Sequence, residues 1–311
     1  MIQAQNLAKM YGNAHALRDV TFEVQKGEIL GFLGPNGAGK TTTMRILTGF
    51  MPPSAGSARV AGFDVFTDSI EVRKRIGYLP ESVPLYYEMS VWDYLDFAAR
   101  LRGVKDRDTA IERAMEMTNI SERADQLIGK LSKGYKQRVG IAQAIVHNPE
   151  VLILDEPTIG LDPKQIIEIR NLIKSLAGDH TVILSTHILP EVSQTCSRIL
   201  IINDGKIVAE DTPERLTARV RGAEHIHLQV AQPAPEIPTE IEKVQGVLGV
   251  TAKGDNEYEI ETNLGADRRA DIAALAVQRG WGVLEMRPVS MSLEEVFLKL
   301  TTEEKSAGDG E

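Results

Sequence analysis

Ile29-Leu30-Gly31-Phe32-Leu33 runs directly into Gly34-Pro35-Asn36-Gly37-Ala38-Gly39-Lys40-Thr41. The first segment is a short apolar run of strand length, and the second matches the pattern G-x-x-x-x-G-K-[ST]. Glycines in that pattern let successive backbone N–H groups turn inward around a phosphate. The N-terminus of the helix that follows, read here as Thr41 to Leu47, adds positive potential. Lys40 is placed to pair with β- and γ-phosphate oxygens and the Thr41 hydroxyl to ligate Mg2+, with Thr42 beside it. Few chance matches to the pattern both follow a buried strand and open a helix.

Two further runs extend the reading. Val151-Leu152-Ile153-Leu154 and Thr181-Val182-Ile183-Leu184 are almost wholly apolar and bounded by polar residues, as suits strands buried on both faces of a mostly parallel sheet. Between them Ile166, Ile167, Ile169, Leu172, Ile173 and Leu176 recur at helical spacing, and Pro163 falls where a first helical turn starts. Strand, helix, buried strand is an α/β core. Ser90 to Arg102 and Asp106 to Thr118 read as helical, so a helical insertion is expected between about 85 and 148. The Val151 strand ends in Asp155-Glu156, about 115 residues after the loop, and is followed by Pro157-Thr158. Such a strand end sets Asp155 beside a metal and leaves Glu156 to polarise an attacking water.

The chain has 311 residues, 42% apolar and 25% charged, enough for about two domains with a sizeable core. Lys plus Arg number 35 against 44 Asp plus Glu, a net charge of −9, so nucleic acid is not an expected partner. The single cysteine, Cys196, excludes an internal disulfide and a Cys-based zinc site, and the expected compartment is reducing cytoplasm. No stretch approaches 18 apolar residues, and the N-terminus lacks a basic region followed by an apolar core. Neither a membrane span nor a signal peptide is therefore expected.

A second unit is expected over 222–300. His225 to Val230 alternates like a strand, and Thr239 to Val244 reads as a short helix. Gly249 to Lys253 and Tyr258 to Glu261 form a hairpin around Gly254-Asp255-Asn256. Arg269 to Gln278 is helical, Val283 to Met286 strand-like and Leu293 to Leu300 helical. The order β-α-β-β-α-β describes a ferredoxin-like α+β domain, and residues 301–311 read as a disordered acidic tail.

Leu131-Ser132-Lys133-Gly134-Tyr135-Lys136-Gln137-Arg138 resembles the signature motif of ABC ATPases. Other elements of that family follow in order. Tyr11 stands where an aromatic residue stacks on adenine, Ile159-Gly160-Leu161-Asp162 resembles the D-loop, and His187 after Ser185-Thr186 resembles the switch histidine. The resemblance covers residues 1–220 and implies an ABC-type P-loop ATPase domain that binds ATP and Mg2+. Two elements depart from the common pattern. Lys133 and Tyr135 replace Gly and Gln, while Ser132 and Gly134, the donors aimed at a γ-phosphate, remain. Glu81, after Ile76-Gly77-Tyr78-Leu79-Pro80, stands where the family usually has a metal-touching glutamine; a carboxylate there keeps a hard oxygen for Mg2+.

In the family, each ATP lies between one subunit's phosphate loop and the other's signature, so one copy of each motif implies a head-to-tail dimer with a second copy of this chain. The resemblance further implies an integral-membrane permease partner, and so a peripheral place on the inner face of the membrane. The Leu79-Pro80-Glu81 and Ser132-Lys133-Gly134-Tyr135 variants, with Met291 to Phe297, resemble export-type ATPases grouped with gliding-motility and multidrug systems. Pro84-Leu85-Tyr86-Tyr87-Glu88-Met89 is a candidate surface for the permease or a cap on the helical insertion. The alternative function is an ABC-type switch acting on a non-membrane partner. The second unit could regulate, strengthen the dimer or contact the permease.

Overall fold

In the computed structural model, which describes residues 1–213, 215–216, 224–263, 267–289 and 297, the chain divides into two units, Met1–Pro213 and Glu214–Glu311. The sequence reading sets that division near Gly222.

The first unit opens with an antiparallel pair, β1 (Ile2–Tyr11) and β2 (Ala14–Val24). The chain then enters β3 (Ile29–Leu33), buried at every position, and turns through the glycine loop into α1 (Lys40–Leu47). β4 (Ala55–Val60) pairs back onto β1, and β5 (Phe63–Asp64) onto β4. These four strands make an antiparallel sheet in the order β2-β1-β4-β5. Its alternation is clear late in β2, where Val20, Phe22 and Val24 are buried between exposed neighbours. It breaks at Asn6 and Asp19, both at positive φ where the register shifts. Interrupted periodicity explains why this sheet is absent from the sequence reading.

After α2 (Ser69–Arg75) comes β6 (Ile76–Leu79), and the helices α3 (Val91–Leu101), α4 (Arg107–Met117) and α5 (Lys133–Ile145) precede β7 (Val151–Asp155). Each of these three helices starts on the residue its sequence marks for the purpose. The side chains of Ser90, Asp106 and Ser132 accept the backbone N–H of Asp93, Thr109 and Tyr135 respectively. α6 (Pro163–Ser175) follows, capped by Asp162 with Pro163 in its first turn. Then come β8 (Thr181–Thr186), α7 (Leu189–Thr195), β9 (Arg198–Asn203) and β10 (Lys206–Asp211).

The second sheet has the order β10-β9-β3-β8-β7-β6, parallel except for β10. The core lies between the two sheets, where Phe22 of β2 meets Phe32 of β3 at 5.5 Å and Met44, Ile46 and Leu47 of α1 fill in beside them. For function the decisive feature is register. Leu33 pairs with Thr186, Asp155 with Ser185, and Leu79 with Leu154. The parallel strands therefore deliver the segments after residues 33, 79, 155 and 186 to one edge of the sheet, the place where α/β proteins hold ligands.

In the second unit β11 (Glu224–Val230), α8 (Ile237–Ile241), β12 (Val247–Ala252), β13 (Glu257–Thr262), α9 (Arg269–Gln278) and β14 (Val283–Val289) form an antiparallel sheet ordered β12-β13-β11-β14. Ile226, Leu228 and Ile260 close a core with Ile237, Ile272 and Trp281. The short helix is a correction to the expected Thr239–Val244. It begins at Ile237 because Pro238, with φ preset, suits a first turn, and it ends by Ile241. The expected helix Leu293–Leu300, the Met291–Phe297 segment and the tail lie outside the described residues, Phe297 aside.

Candidate active site

The loop after β3 is shaped by where glycine is compulsory. Gly39 caps α1 at φ 106°, and a Cβ there would stand 2.7 Å from the Ala16 carbonyl oxygen. Neither the conformation nor the space admits a side chain. Gly37, at φ 83°, has nothing within 4 Å of a Cβ position, so its backbone stays open to an approaching group. Lys40 is 6% exposed, and its ammonium donates to the carbonyls of Gly34 at 2.8 Å and Pro35 at 3.2 Å. The Ala38 N–H is spent on the Pro35 carbonyl. A cleft of about 370 Å3 opens over the loop, lined by Asn36, Gly37, Gly39, Lys40, Thr41 and Thr42 on one side and by Glu81, Glu156 and His187 on the other.

Asp155 ends β7 with no exposed surface. Ser185 Oγ donates to its Oδ1 at 2.7 Å, while Oδ2 has no hydrogen-bond partner. Burial pushes this carboxyl above the usual aspartate range, against the Ser185 and Thr41 hydroxyls that favour its charged form. A buried carboxylate oxygen without a donor is costly, and a hard divalent cation satisfies it. The oxygen donors Asp155, Thr41 and Glu81 fit Mg2+, which takes few protein ligands and completes its shell with water and phosphate. Among the described residues, no group of three His, Cys, Asp or Glu forms a metal cage.

The next residue turns sharply. Glu156 sits at φ 51°, a left-handed conformation costing about 1–2 kcal/mol for a residue with a side chain. Its N–H is held by the Ser185 carbonyl at 2.8 Å. The turn puts its carboxylate 3.5 Å from Lys40 Nζ and 2.9–3.0 Å from His187 Nδ1, with Thr186 Oγ1 3.1 Å from Oε2. A base, a histidine and a phosphate-binding lysine thus share one cleft.

The ABC transporter family model matches residues 17–159. A bacitracin transport ATP-binding protein from Bacillus licheniformis is 35% identical over 302 residues, which cover 96% of this chain and 97% of that protein. The chain belongs to the ABC transporter family. It is an ABC ATPase subunit, and its ATP-binding fold recurs in solved cassettes. A Nod factor export ATP-binding protein from Cupriavidus metallidurans is 32% identical, over 98% of both chains. A dimeric ATP-binding cassette, solved after hydrolysis with ADP and Pi bound, superposes with TM-score 0.63 at 25% identity over 68% of this chain and 98% of that one.

Not every expected site residue of this ABC ATPase reaches the cleft. Tyr11, at the end of β1, is 46% exposed and does not line it. Its hydroxyl lies 3.1 Å from Met51 Sδ, with Lys9 Nζ 5.6 Å from the ring centroid. Ser132, Gly134 and Asp162 form a second cluster at the starts of α5 and α6. Ser132 and Asp162 are the caps, and Gly134 lies so close to the Gln165 side chain that a Cβ would come within 2.7 Å. Arg138 joins the same two helices through Glu168. In the Pro84–Met89 loop, Tyr86 packs edge-on against Tyr94 and Phe97 yet remains half exposed, beside a groove lined by Phe50, Tyr78, Pro84 and Arg102. The sequence reading missed Thr158 and Glu191, buried behind Glu156. The available signal was a lone acid, Glu191, between the buried Leu189 and Val192.

Proposed function

We propose that this chain is the ATP-hydrolysing subunit of an exporter, two copies closing head to tail around two Mg2+–ATP and driving a separate membrane permease. The observation that carries it is the separation of the two clusters. Lys40, Glu156 and His187 share one cleft, whereas none of the signature residues Ser132 to Arg138 lines it. A second copy supplies Ser132 and Gly134 as donors to the γ-phosphate, with Asp162 at the junction. Among the described residues no helix is long and apolar enough to cross a membrane, and in this reading the pathway belongs to another polypeptide. In this reading the ATPase sits on the inner face of the membrane through its permease. The names of two similar proteins, for Nod factor export and SkfA peptide export, support the export direction.

In this reading the amides of Asn36, Gly37 and Gly39 and the Lys40 ammonium hold the β- and γ-phosphates, while Tyr11 stacks on the adenine. Thr41, Asp155 and Glu81 hold Mg2+, which when bound neutralises charge on the phosphate oxygens. Glu156 takes the proton of the attacking water. His187, through Nδ1, holds that carboxylate in the cleft, with the Lys40 ammonium 3.5 Å from it. The groove beside Glu81 and the exposed tyrosines of the Pro84–Met89 loop receive a short cytoplasmic segment of the permease, coupling its position to the metal site.

The test is capture from detergent-solubilised native membranes with a Glu156→Gln chain and Mg-ATP. One multi-span protein in equal ratio is the expected result; a soluble partner instead would overturn the transporter reading. Glu81→Gln isolates the metal role. Exchanging a carboxylate for an amide oxygen is expected to raise the Mg2+ concentration for half-maximal turnover by about tenfold, or ~1.4 kcal/mol. An unchanged Mg2+ titration would show that Glu81 does not touch the ion.

A further inference from the structure

Behind the Lys40–Glu156–His187 cluster lies a carboxyl group for which the hydrolysis scheme has no use. Glu191, in the first turn of α7, is 3% exposed. Its Oε1 accepts from the Thr158 hydroxyl, and its Oε2 lies 3.1 Å from Thr186 Oγ1. Thr158 is in the turn that carries Glu156, and Thr186 ends the strand that leads to His187. One carboxyl group therefore joins the two segments that supply the catalytic pair.

Thr186 Oγ1 is crowded with partners. It accepts the N–H of Ile188 at 3.1 Å and stands 3.1 Å from Oε2 of Glu191 and 3.1 Å from Oε2 of Glu156. A hydroxyl has one proton to give and two lone pairs. If both acids were ionised, one buried carboxylate oxygen would face a lone pair of Thr186, at considerable cost. Every group is satisfied when Glu191 Oε2 carries a proton and donates to Thr186 Oγ1, which then donates to Glu156. Glu156 is the accepting member, with Lys40 Nζ 3.5 Å and His187 Nδ1 2.9 Å from its carboxyl oxygens. Burial pushes the Glu191 carboxyl above its ordinary range and the Glu156 charge pushes the same way.

We propose that Glu191 is a positioning residue for hydrolysis: it ties Thr158 to Thr186 and turns the Thr186 hydroxyl onto Glu156, fixing the carboxylate that faces the cleft. The inference rests on Glu156 being the base. A carboxylate held by Thr186 from behind and His187 from the side presents one lone pair in a set direction. Released from Thr186 it pivots, and a misplacement of about 1 Å costs on the order of a hundredfold in rate. Glu191 acts only through Thr186, touching neither nucleotide nor metal.

The experiment uses the full chain, with steady-state hydrolysis and ATP binding measured separately. Glu191→Met keeps the volume and removes both hydrogen bonds. It is expected to lower kcat about 10- to 100-fold while KM and Kd for ATP stay within about twofold. Glu191→Gln, whose amide donates to Thr186 and accepts from Thr158, is expected to recover most of that loss. In a Thr186→Val background, Glu191→Met should change kcat less than about twofold, since the path is already cut. Wild-type kcat in Glu191→Met, or the same fall in both backgrounds, overturns the proposal. Thr158→Val removes the other anchor and repeats the test should Glu191→Met fail to fold; there too an unchanged kcat overturns it. Glu156→Gln, run in parallel, distinguishes the failures: retained turnover in that variant refutes the base itself, whatever Glu191 does.

Discussion

Replacing Glu156 by Gln is expected to lower ATP turnover by about 10²–10⁴-fold while leaving ATP bound. The amide has the shape of the carboxylate and can still accept from His187 Nδ1 and Thr186 Oγ1, which lie at 2.9–3.0 and 3.1 Å in the native site. What it lacks is the basicity to take a proton from water. Because the γ-phosphate then survives, two copies should accumulate as an ATP-dependent dimer, visible by size-exclusion chromatography with and without nucleotide. Phosphate release gives the rate. Turnover within tenfold of the native chain would remove Glu156 from the role of base, and a native rate together with a persistent monomer would also weaken the head-to-tail dimer.

Lys40→Ala is the second large effect, and it falls on binding rather than on the chemical step. The Lys40 ammonium is buried at the mouth of α1 and donates to two carbonyls of its own loop, so its charge is already aimed at the turn that would hold phosphate. Charge-assisted hydrogen bonds of this kind contribute about 1.5–3 kcal/mol each. Their loss should raise the ATP Kd by roughly a hundredfold, about 2.7 kcal/mol, as read by calorimetric titration. Removing Lys40 also strips Glu156 of the cation 3.5 Å away, so part of any fall in kcat has that origin. An ATP Kd within threefold of the native value would show that the loop holds phosphate through its amides alone.

The legible parts of this chain were those whose chemistry is local. The glycine spacing of residues 34–39, the apolar strand before it and the helices read from Ser90 and Asp106 all depend on residues close together in the chain. The antiparallel sheet was hidden because Asn6 and Asp19 adopt positive φ and interrupt the alternation that marks a strand. Glu191 was hidden for a different reason. A single acid in a short helix carries no pattern, and its burial depends on partners 33 and 5 residues away in sequence.

The amino-acid sequence by itself determined the phosphate loop, the strand ending in Asp155-Glu156, the order of motifs and the membership in an ATP-binding family, because each depends on residue types at fixed short spacings. Only the tertiary structure decided that Lys40, Glu156 and His187 meet while Ser132 and Gly134 stay apart. That outcome follows from parallel register. Pairing Leu33 with Thr186 and Asp155 with Ser185 brings distant strand ends to one edge, where a buried carboxylate must find a proton donor, a cation or a neutral form. The demand for such partners in a low-dielectric interior, and no motif, is what ties Glu191 to the site.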